Sequence, residues 1–221
     1  MTVVVLLGAP GAGKGTQAEI LRKRLNIPHV ATGDLFRAAV GEGSAIGLEA
    51  RRYMEHGQLV PDEITIRMVL ERLGRPDAAG GAILDGFPRT AAQARALDEA
   101  LAGQGARVEH ALLIDVPTED LVARLSGRWI CRASGHVYHA VANPPAVTGV
   151  CDLDGSELHQ RDDDRAETIR ARMERQLGAL ADVVEHYRAQ GLLRSVDGCY
   201  SITEVSEALL VQLGQEAGRG V

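Results

Sequence analysis

A glycine-rich loop with one lysine is the first group of residues that can do chemistry. Residues 8–16 read Gly-Ala-Pro-Gly-Ala-Gly-Lys-Gly-Thr and follow the apolar run Val3–Leu7. Glycines let successive backbone N–H groups converge on an anion, while Lys14 adds a positive charge and the following helix adds its dipole. A strand, a glycine loop and a helix in this order predict a phosphate-binding loop. Gly15 separates Lys14 from Thr16, where the general pattern has Ser or Thr directly after the lysine, and this departure narrows the choice of protein class.

Asp85 is the second such residue, because it directly follows the short apolar strand predicted at 82–84. A carboxylate at a strand end holds Mg2+ directly or through water when a phosphate site lies beside it. Alone, the same residue is more often an ordinary helix-capping aspartate. The phosphate loop therefore favours the interpretation of Asp85 as a magnesium anchor.

Several arginines are predicted to surround the mouth of the same site. The planar guanidinium of arginine binds phosphate oxygens with two hydrogen bonds, so such a group is typical of a clamp for a polyanion. The arginines in question are Arg37, Arg89, Arg124, Arg128, Arg161 and Arg172.

No Ser/His/Asp constellation or obvious general base is visible in the sequence. A phosphate monoester is already largely ionised at neutral pH and needs no base when it is itself the nucleophile. Catalysis then consists of positioning and charge neutralisation. The absence of a general base is therefore consistent with a reaction in which a phosphate is the nucleophile.

Composition limits the other functions. The chain has 221 residues, 45% of them hydrophobic, 3% aromatic, and a formal net charge of −6. The negative charge argues against non-specific binding to nucleic acid or to a membrane surface. No apolar stretch is long enough to span a membrane, and three cysteines are too few for a disulfide scaffold. We expect a cytoplasmic monomer without nucleic-acid or membrane partners.

Strands alternate with helices along most of the chain, which predicts an α/β fold with a doubly wound parallel sheet. Strands are predicted at 3–7, 29–31, 82–84, 111–116 and 192–196. Two segments interrupt the alternation: residues 31–60 are mostly helical, and residues 127–164 have the composition of an insertion rich in hairpins. Ligands of such sheets gather at the carboxyl ends of the strands.

Taken together, these motifs resemble the nucleoside monophosphate kinases, and among them the adenylate kinases with a long lid. The loop has that family's Gly-Lys-Gly-Thr form, and the match runs over nearly the whole chain. The other motifs are Thr32-Gly33-Asp34 with Arg37, residues 57–62, Asp85-Gly86-Phe87-Pro88-Arg89 with Gln93, Arg124 with Gly127-Arg128, residues 161–164, and Arg172.

The resemblance implies a P-loop fold with a five-stranded parallel sheet. The core would comprise residues 1–30, 61–126 and 165–221, the helical AMP-binding insertion residues 31–60, and the β-rich lid residues 127–164. The implied reaction is reversible, Mg2+-dependent phosphoryl transfer from ATP to AMP, giving two ADP in adenine nucleotide homeostasis.

The resemblance also assigns roles to residues of this chain. The catalytic set would be Lys14, Arg89, Arg124, Arg161 and Arg172. ATP would bind to Gly11, Ala12, Gly13, Lys14, Gly15, Thr16, Arg124, Arg128, Val137, Tyr138 and Tyr200. AMP would bind to Thr32, Arg37, Gln58, Leu59, Val60, Gly86, Arg89, Gln93, Arg161 and Arg172, while Asp85 would hold Mg2+ through water.

Long lids of this family often carry a structural zinc on four ligands. Here the positions read Cys131-x2-Ser134 and Cys151-x2-Asp154, which leaves two thiolates and one carboxylate as candidate ligands. Serine is a poor zinc ligand, and His136 or His139 would substitute only if the hairpin bends to suit. We therefore favour a metal-free lid over a zinc site. A disulfide between the two cysteines is disfavoured in a reducing cytoplasm.

Two other functions stay open. One is a kinase for another monophosphate, UMP or CMP, although the lid length, Thr32 and Gln93 favour AMP. The other is a non-catalytic nucleotide-binding regulator, which would not need a second arginine-lined site at Arg37 and Arg89.

Overall fold

The computed structural model describes residues 1–56, 58–160, 164 and 166–214. Its main sheet is parallel, with the strand order β2-β3-β1-β4-β8. These strands are β1 (Thr2–Leu7), β2 (His29–Ala31), β3 (Gly81–Asp85), β4 (Arg107–Asp115) and β8 (Leu193–Asp197), and a smaller sheet contains β5 (Arg128–Cys131), β6 (Val137–His139) and β7 (Leu158–His159). The helices are α1 (Lys14–Leu25), α2 (Thr32–Gly41), α3 (Ala45–Met54), α4 (Asp62–Leu73), a short 3-10 helix (Pro76–Ala78), α5 (Ala91–Ala102), α6 (Thr118–Ser126), α7 (Ala166–Ala189) and α8 (Ile202–Gln212).

Strand β1 lies at the centre of the main sheet and is buried on both faces, as its unbroken apolar run predicts. Its side chains alternate between two hydrophobic clusters, because successive residues of a strand point to opposite faces. Val4 and Leu6 pack with α1, α6 and α8, whereas Val3, Val5 and Leu7 pack with α5 and α7. The predicted doubly wound parallel architecture is confirmed.

Strand β4 begins at Arg107, four residues before the start predicted at 111. The prediction followed the apolar run alone. Glu109 and His110 interrupt that run, yet the pairing with β1 continues through His110 opposite Val4, with a shift in register at Glu109. The predicted start was wrong because parallel pairing, and not side-chain hydrophobicity, extends the strand there.

Helices α2 and α3 form the insertion between β2 and β3 and have a small core of their own, centred on Phe36, Ala50 and Val60. The two helices approach most closely at Gly47, which is buried. A β-carbon built at Gly47 would overlap the backbone of Ala39 and Val40 in α2. Glycine is therefore required at this crossing.

The second insertion contains the antiparallel sheet β6-β5-β7. Its core consists of Cys131, Tyr138, Cys151 and Leu158. The Nε atom of Arg128 donates to a carboxylate oxygen of Asp164 at 2.7 Å, which links the start of β5 to the residue shortly before α7. The insertion is thus β-rich, in agreement with the composition of its sequence.

Within the described ranges, no helix is both long enough and apolar enough to cross a membrane.

Replacing Gly47 with alanine tests the contact between α2 and α3. The added methyl group must displace backbone and not a flexible side chain, so we expect a loss of about 1–3 kcal/mol in the free energy of unfolding. Gly41 is the matched control, because a β-carbon there meets nothing within 4 Å. Urea unfolding of both variants measures the difference, and equal stabilities would contradict this account of the crossing.

Candidate active site

The loop between β1 and α1 curls as the sequence predicts. Gly11 and Gly13 have φ angles of 87° and 94°, in the left-handed region that disfavours other residues. Gly13 is also the N-cap of α1, whose first turn contains no acidic residue. The positive end of the helix dipole therefore faces the loop without a neighbouring carboxylate from its own first turn.

The side chain of Lys14 lies across the loop. Its ammonium group donates to the carbonyl oxygens of Gly8 at 2.7 Å and Ala9 at 3.0 Å. A β-carbon at Gly8 would lie 2.8 Å from the carbonyl oxygen of Ile114, so the loop runs directly against β4. These contacts hold the lysine charge at the mouth of the loop.

Asp85 ends β3 beside this loop. It lies opposite Leu6 of β1 in the parallel register, and a β-carbon at Gly15 would be 3.5 Å from its Oδ2 atom. Its side chain is only 15% exposed and lies 3.3 Å from Nε2 of His29. The carboxylate is thus held at the start of α1.

Two opposing effects determine the pKa of Asp85. Burial acts to raise this pKa. The hydrogen bond with His29 and the positive charge of Lys14 act to lower it and prevail, so the pKa lies below its ordinary 3.8. The group is therefore an anionic oxygen ligand at neutral pH.

A second cluster of polar groups surrounds the turn at Gly86, next to Asp85. Thr32 at the start of α2 donates to the carbonyl oxygen of Gly86 at 2.8 Å, and Nε of Arg89 donates to the same oxygen at 2.7 Å. Arg89 also reaches Gln176 of α7 at 3.3 Å. Gly86 itself has a φ of 73°, and a β-carbon there would lie 2.7 Å from the Arg89 guanidinium. The tight turn thus keeps the arginine close to the end of β3.

Gln93 lies one helical turn further and is 1% exposed. Its Oε1 accepts from the backbone N–H of Arg89 at 2.8 Å, and its Nε2 donates to Asp62 at 2.7 Å. Thr90, the N-cap of α5, donates to the other oxygen of Asp62 at 2.8 Å. Asp62 therefore joins the start of α4 to the start of α5.

The remaining residues predicted for AMP lie in or beside the first insertion. Arg37 is paired with Asp34 in the same helix. Val60 is buried in the small core of the insertion, and Leu59 is partly buried. Gln58 is exposed, and its N–H donates to the carbonyl oxygen of Tyr53.

The residues predicted for ATP outside the loop are spread over two regions. Arg124 of α6 donates to the carbonyl oxygen of Gly198 at 2.8 Å, close to Tyr200, which is 62% exposed. Arg128 and Val137 belong to the second insertion, and Arg128 is engaged by Asp164. The ring of Tyr138 is buried within that insertion and its hydroxyl accepts from the N–H of Asp152, so it offers a ligand only its backbone.

Two predicted arginines are not described at the side-chain level. Arg161 lies outside the described residues. Arg172 lies within α7, but its side chain is outside the described part of the structure.

Four potential metal ligands meet in the second insertion. The ligand atoms of Cys131, His136, Cys151 and Asp154 all lie within 4.8 Å of one another. His136 Nδ1 is 3.3 Å from Cys151 Sγ, so the hairpin does bend in the way that the histidine substitution requires. His139 points elsewhere, and its Nδ1 accepts from the backbone N–H groups of Val141 and Ala142.

Hydrogen bonds surround this cluster. The N–H of Ser134 donates to Cys131 Sγ at 3.2 Å, and the hydroxyls of Ser134 and Ser156 donate to Asp154 at 2.6 Å. Burial acts to raise the pKa of Cys131, but the donors from Ser156 and Ser134 prevail and lower it. The cysteines Cys131, Cys151 and Cys199 are free thiols, so no disulfide closes the insertion.

Comparison with known proteins agrees with this geometry. The family model of adenylate kinase matches residues 6–192. The chain is similar to the adenylate kinase of Streptomyces griseus, with 49% identity over 204 residues that cover 92% of this chain and 93% of the relative. It is also similar to the adenylate kinases of Lysinibacillus sphaericus (50% over 202 residues, 91% and 93% covered) and Carboxydothermus hydrogenoformans (50% over 202 residues, 91% and 94% covered).

The chain belongs to the adenylate kinase family. Membership confirms the resemblance found in the sequence, together with the P-loop fold and the enzyme class of a nucleoside monophosphate kinase. It also explains Gly15, which is part of the family's form of the loop.

Sequence reasoning did not find the contacts of three residues that support this site. His29 contacts Asp85, Asp62 contacts Gln93, and Asp164 contacts Arg128. Asp62 and Asp164 were named only as members of the motifs at 57–62 and 161–164, without partners. In each case the partner is distant in the sequence, so local pattern offers no signal for the pair.

The lowered pKa of Asp85 predicts a pH dependence. A lowered folded-state pKa means that the ionised carboxylate contributes stability above its unfolded value of 3.8 and that this contribution is lost as the pH falls through the folded-state pKa. The difference in free energy of unfolding between the wild type and Asp85→Asn is therefore expected to decrease upon acidification from about pH 7 to about pH 3. Urea unfolding across this range measures it, and a difference independent of pH would refute the assignment.

Proposed function

We propose that this protein transfers the γ-phosphoryl group of MgATP to AMP and back, forming two ADP. The observation that carries this proposal is the meeting of two anion-binding groups at one sheet edge. The glycine loop with Lys14 lies on one side of Asp85, and the Gly86 turn with Arg89 lies on the other. A protein that only binds or hydrolyses one nucleotide needs the first group alone.

The donor nucleotide would occupy the glycine loop. Backbone N–H groups of residues 11–16 and the charge of Lys14 would hold its phosphates, as loops of this kind do. Arg124 and Arg128 would neutralise further charge, and the backbones of Val137, Tyr138 and Tyr200 would line the rest of the site.

The acceptor nucleotide would occupy the space between the first insertion and the Gly86 turn. Arg37 and Arg89 would grip its phosphate with their planar guanidinium groups. Thr32 and Gln93 would face the base, while Gln58, Leu59, Val60 and Gly86 would line the site. Arg161 and Arg172 would also contact AMP and would neutralise charge during the transfer.

The reaction needs no general base. At neutral pH the phosphate of AMP is largely ionised, since its second pKa is about 6. One of its oxygens forms a bond to the γ-phosphorus, while the bond from that phosphorus to the oxygen bridging to the β-phosphate breaks, and the electron pair leaves with ADP. The cationic side chains stabilise the charge spread over the transferred group.

Asp85 fits a magnesium anchor, because it is an anionic oxygen donor held at the sheet edge next to the start of α1. Mg2+ prefers such oxygens and keeps several waters, so a water-bridged contact suits it. When bound, the ion would offset negative charge on the phosphate oxygens.

The division of labour follows from these assignments. Residues 1–30, 61–126 and 165–221 would form the core, residues 31–60 the AMP-binding insertion, and residues 127–164 a lid that closes over ATP. Closure would exclude water, which otherwise competes as the phosphoryl acceptor.

We also propose a cytoplasmic monomer whose partners are ATP, AMP and ADP, in keeping with its free cysteines and net negative charge.

A coupled assay of ADP formation, with and without AMP, tests the reaction. We expect turnover to require AMP and to fall at least about a hundredfold in Lys14→Ala and in Arg89→Ala, because each removes a charge that contacts the transferred or accepting phosphate. Lys23→Ala and Arg95→Ala are the matched controls, since both residues are exposed on the neighbouring helices α1 and α5.

Other outcomes decide between the remaining functions. ATP consumption that is independent of any acceptor would support a nucleotide-binding regulator instead. Faster turnover of UMP or CMP than of AMP would reassign the acceptor. Near-normal turnover in either alanine variant would refute the role given to that residue.

The lid contains a candidate site for a second cofactor, a zinc ion. The sequence favoured a metal-free lid because only three good ligands were counted there. His136 supplies the fourth, which removes that reason. Two sulfurs, an imidazole nitrogen and a carboxylate form a donor set that zinc accepts in structural sites. The N–H of Ser134 that donates to Cys131 Sγ further stabilises a thiolate, the form that binds metal. We therefore propose that the lid binds one zinc ion.

Metal analysis of protein purified without added zinc tests this site. We expect about one zinc per chain in the wild type and in His139→Ala, and loss of the metal in His136→Ala. Of these two histidines, His136 is the one whose ring nitrogen lies in the cluster of ligands. A chelator is expected to lower the melting temperature of the wild type and of His139→Ala, but not that of His136→Ala. Protein without metal and without a response to zinc would instead support a lid held by the hydrogen bonds of Asp154.

A further inference from the structure

The amide of Gln93 is held by two groups of opposite character. Its oxygen accepts from the backbone N–H of Arg89 at 2.8 Å, and its nitrogen donates to Oδ1 of Asp62 at 2.7 Å. The side chain is 1% exposed, so water does not compete for either contact. Each contact uses one of the two hydrogen-bonding positions on its atom, because an amide oxygen has two lone pairs and an amide nitrogen two hydrogens.

The chemistry of these partners allows only one orientation of the amide. A backbone N–H only donates and a carboxylate only accepts. Rotation of the amide by half a turn would place its N–H against the N–H of Arg89 and its oxygen against the carboxylate of Asp62. The orientation of Gln93 therefore follows from its neighbours, and Asp62 is the partner that a side-chain substitution can remove.

Asp62 is itself held in position. Its second oxygen accepts from the Thr90 hydroxyl at 2.8 Å, and Thr90 in turn accepts from the N–H of Gln93 at 3.1 Å. Asp62 is also the first residue of α4, where the helix dipole favours a carboxylate. The network of Asp62, Thr90 and Gln93 is thus closed by contacts within the protein.

We propose that Asp62 is a positioning residue that makes the acceptor site selective for a 6-aminopurine over a 6-oxopurine. The inference rests on the proposed function, in which Gln93 faces the base of the acceptor. The amide retains one N–H and one lone pair for that base. An adenine ring offers an acceptor at N1 and a donor at its 6-amino group, which suit an amide in this fixed orientation. A 6-oxopurine reverses both, with a donor at N1 and an acceptor at O6.

A freely rotating amide reads both patterns, because exchanging its oxygen and nitrogen exchanges the pattern that it recognises. Selectivity therefore depends on the free-energy difference between the two amide orientations, and Asp62 supplies a large part of it. A site whose buried polar groups are fixed rejects a mismatched analogue far more strongly than an adaptable one.

The test compares AMP and IMP, which differ at C6 and N1 of the base and carry the same phosphate. The measurement is kcat/KM for each acceptor at saturating MgATP in the wild type, Asp62→Ala and Asp62→Asn. We expect the ratio of AMP to IMP to fall about tenfold in Asp62→Ala. A smaller fall is expected in Asp62→Asn, whose amide offers Gln93 either an oxygen or an NH2 group. Glu63→Ala is the matched control, because this acid lies exposed in the same first turn of α4 and its variant should keep the wild-type ratio.

The outcomes separate this proposal from a merely structural role. If Asp62 only stabilises the fold, both acceptors lose activity in parallel, the ratio stays at the wild-type value and the proposal is overturned. If Asp62→Ala does not fold, Asp62→Asn decides, and an unchanged ratio there overturns the proposal as well. A wild-type enzyme that does not phosphorylate AMP refutes the proposed function itself, whereas a wild-type enzyme that does so while the variants keep its ratio refutes only the role of Asp62.

Discussion

The parallel register of three neighbouring strands is the constraint on which the site depends. Leu6 of β1 and Ala31 of β2 both lie opposite Asp85 of β3, so the three strands end at the same level. The loop after β1, the helix start after β2 and the Gly86 turn after β3 therefore leave the sheet side by side. The glycine loop and the Gly86 turn become neighbours because hydrogen bonds between strands align them, although they are distant in the sequence.

The features that sequence predicts well are those encoded by adjacent residues. The buried strand β1 and the glycine loop each depend on residue types within a few positions of one another. The two insertions were visible for the same reason, since they break the alternation of strands and helices. The family resemblance rested on these local motifs in their order along the chain.

Contacts between distant segments could not be predicted in this way. The pairs His29 with Asp85 and Asp62 with Gln93 arise only when the sheet and its helices are assembled. The sequence offered His136 as a fourth donor only if the hairpin bends, and local pattern does not determine the bend that brings it to its partners. The start of β4 was missed because backbone pairing continues where the apolar pattern stops. In each case the packing of the fold determines a contact or a strand boundary that the local residue types do not specify.

The ion pair between Arg128 and Asp164 has a consequence for how this chain can diversify. It joins the two places where the chain enters and leaves the second insertion. The core experiences the same spacing and the same pair of ends whatever the intervening sequence is. Sequence changes between these two points, including gain or loss of a metal, can therefore alter the insertion while the spacing of its two ends stays fixed.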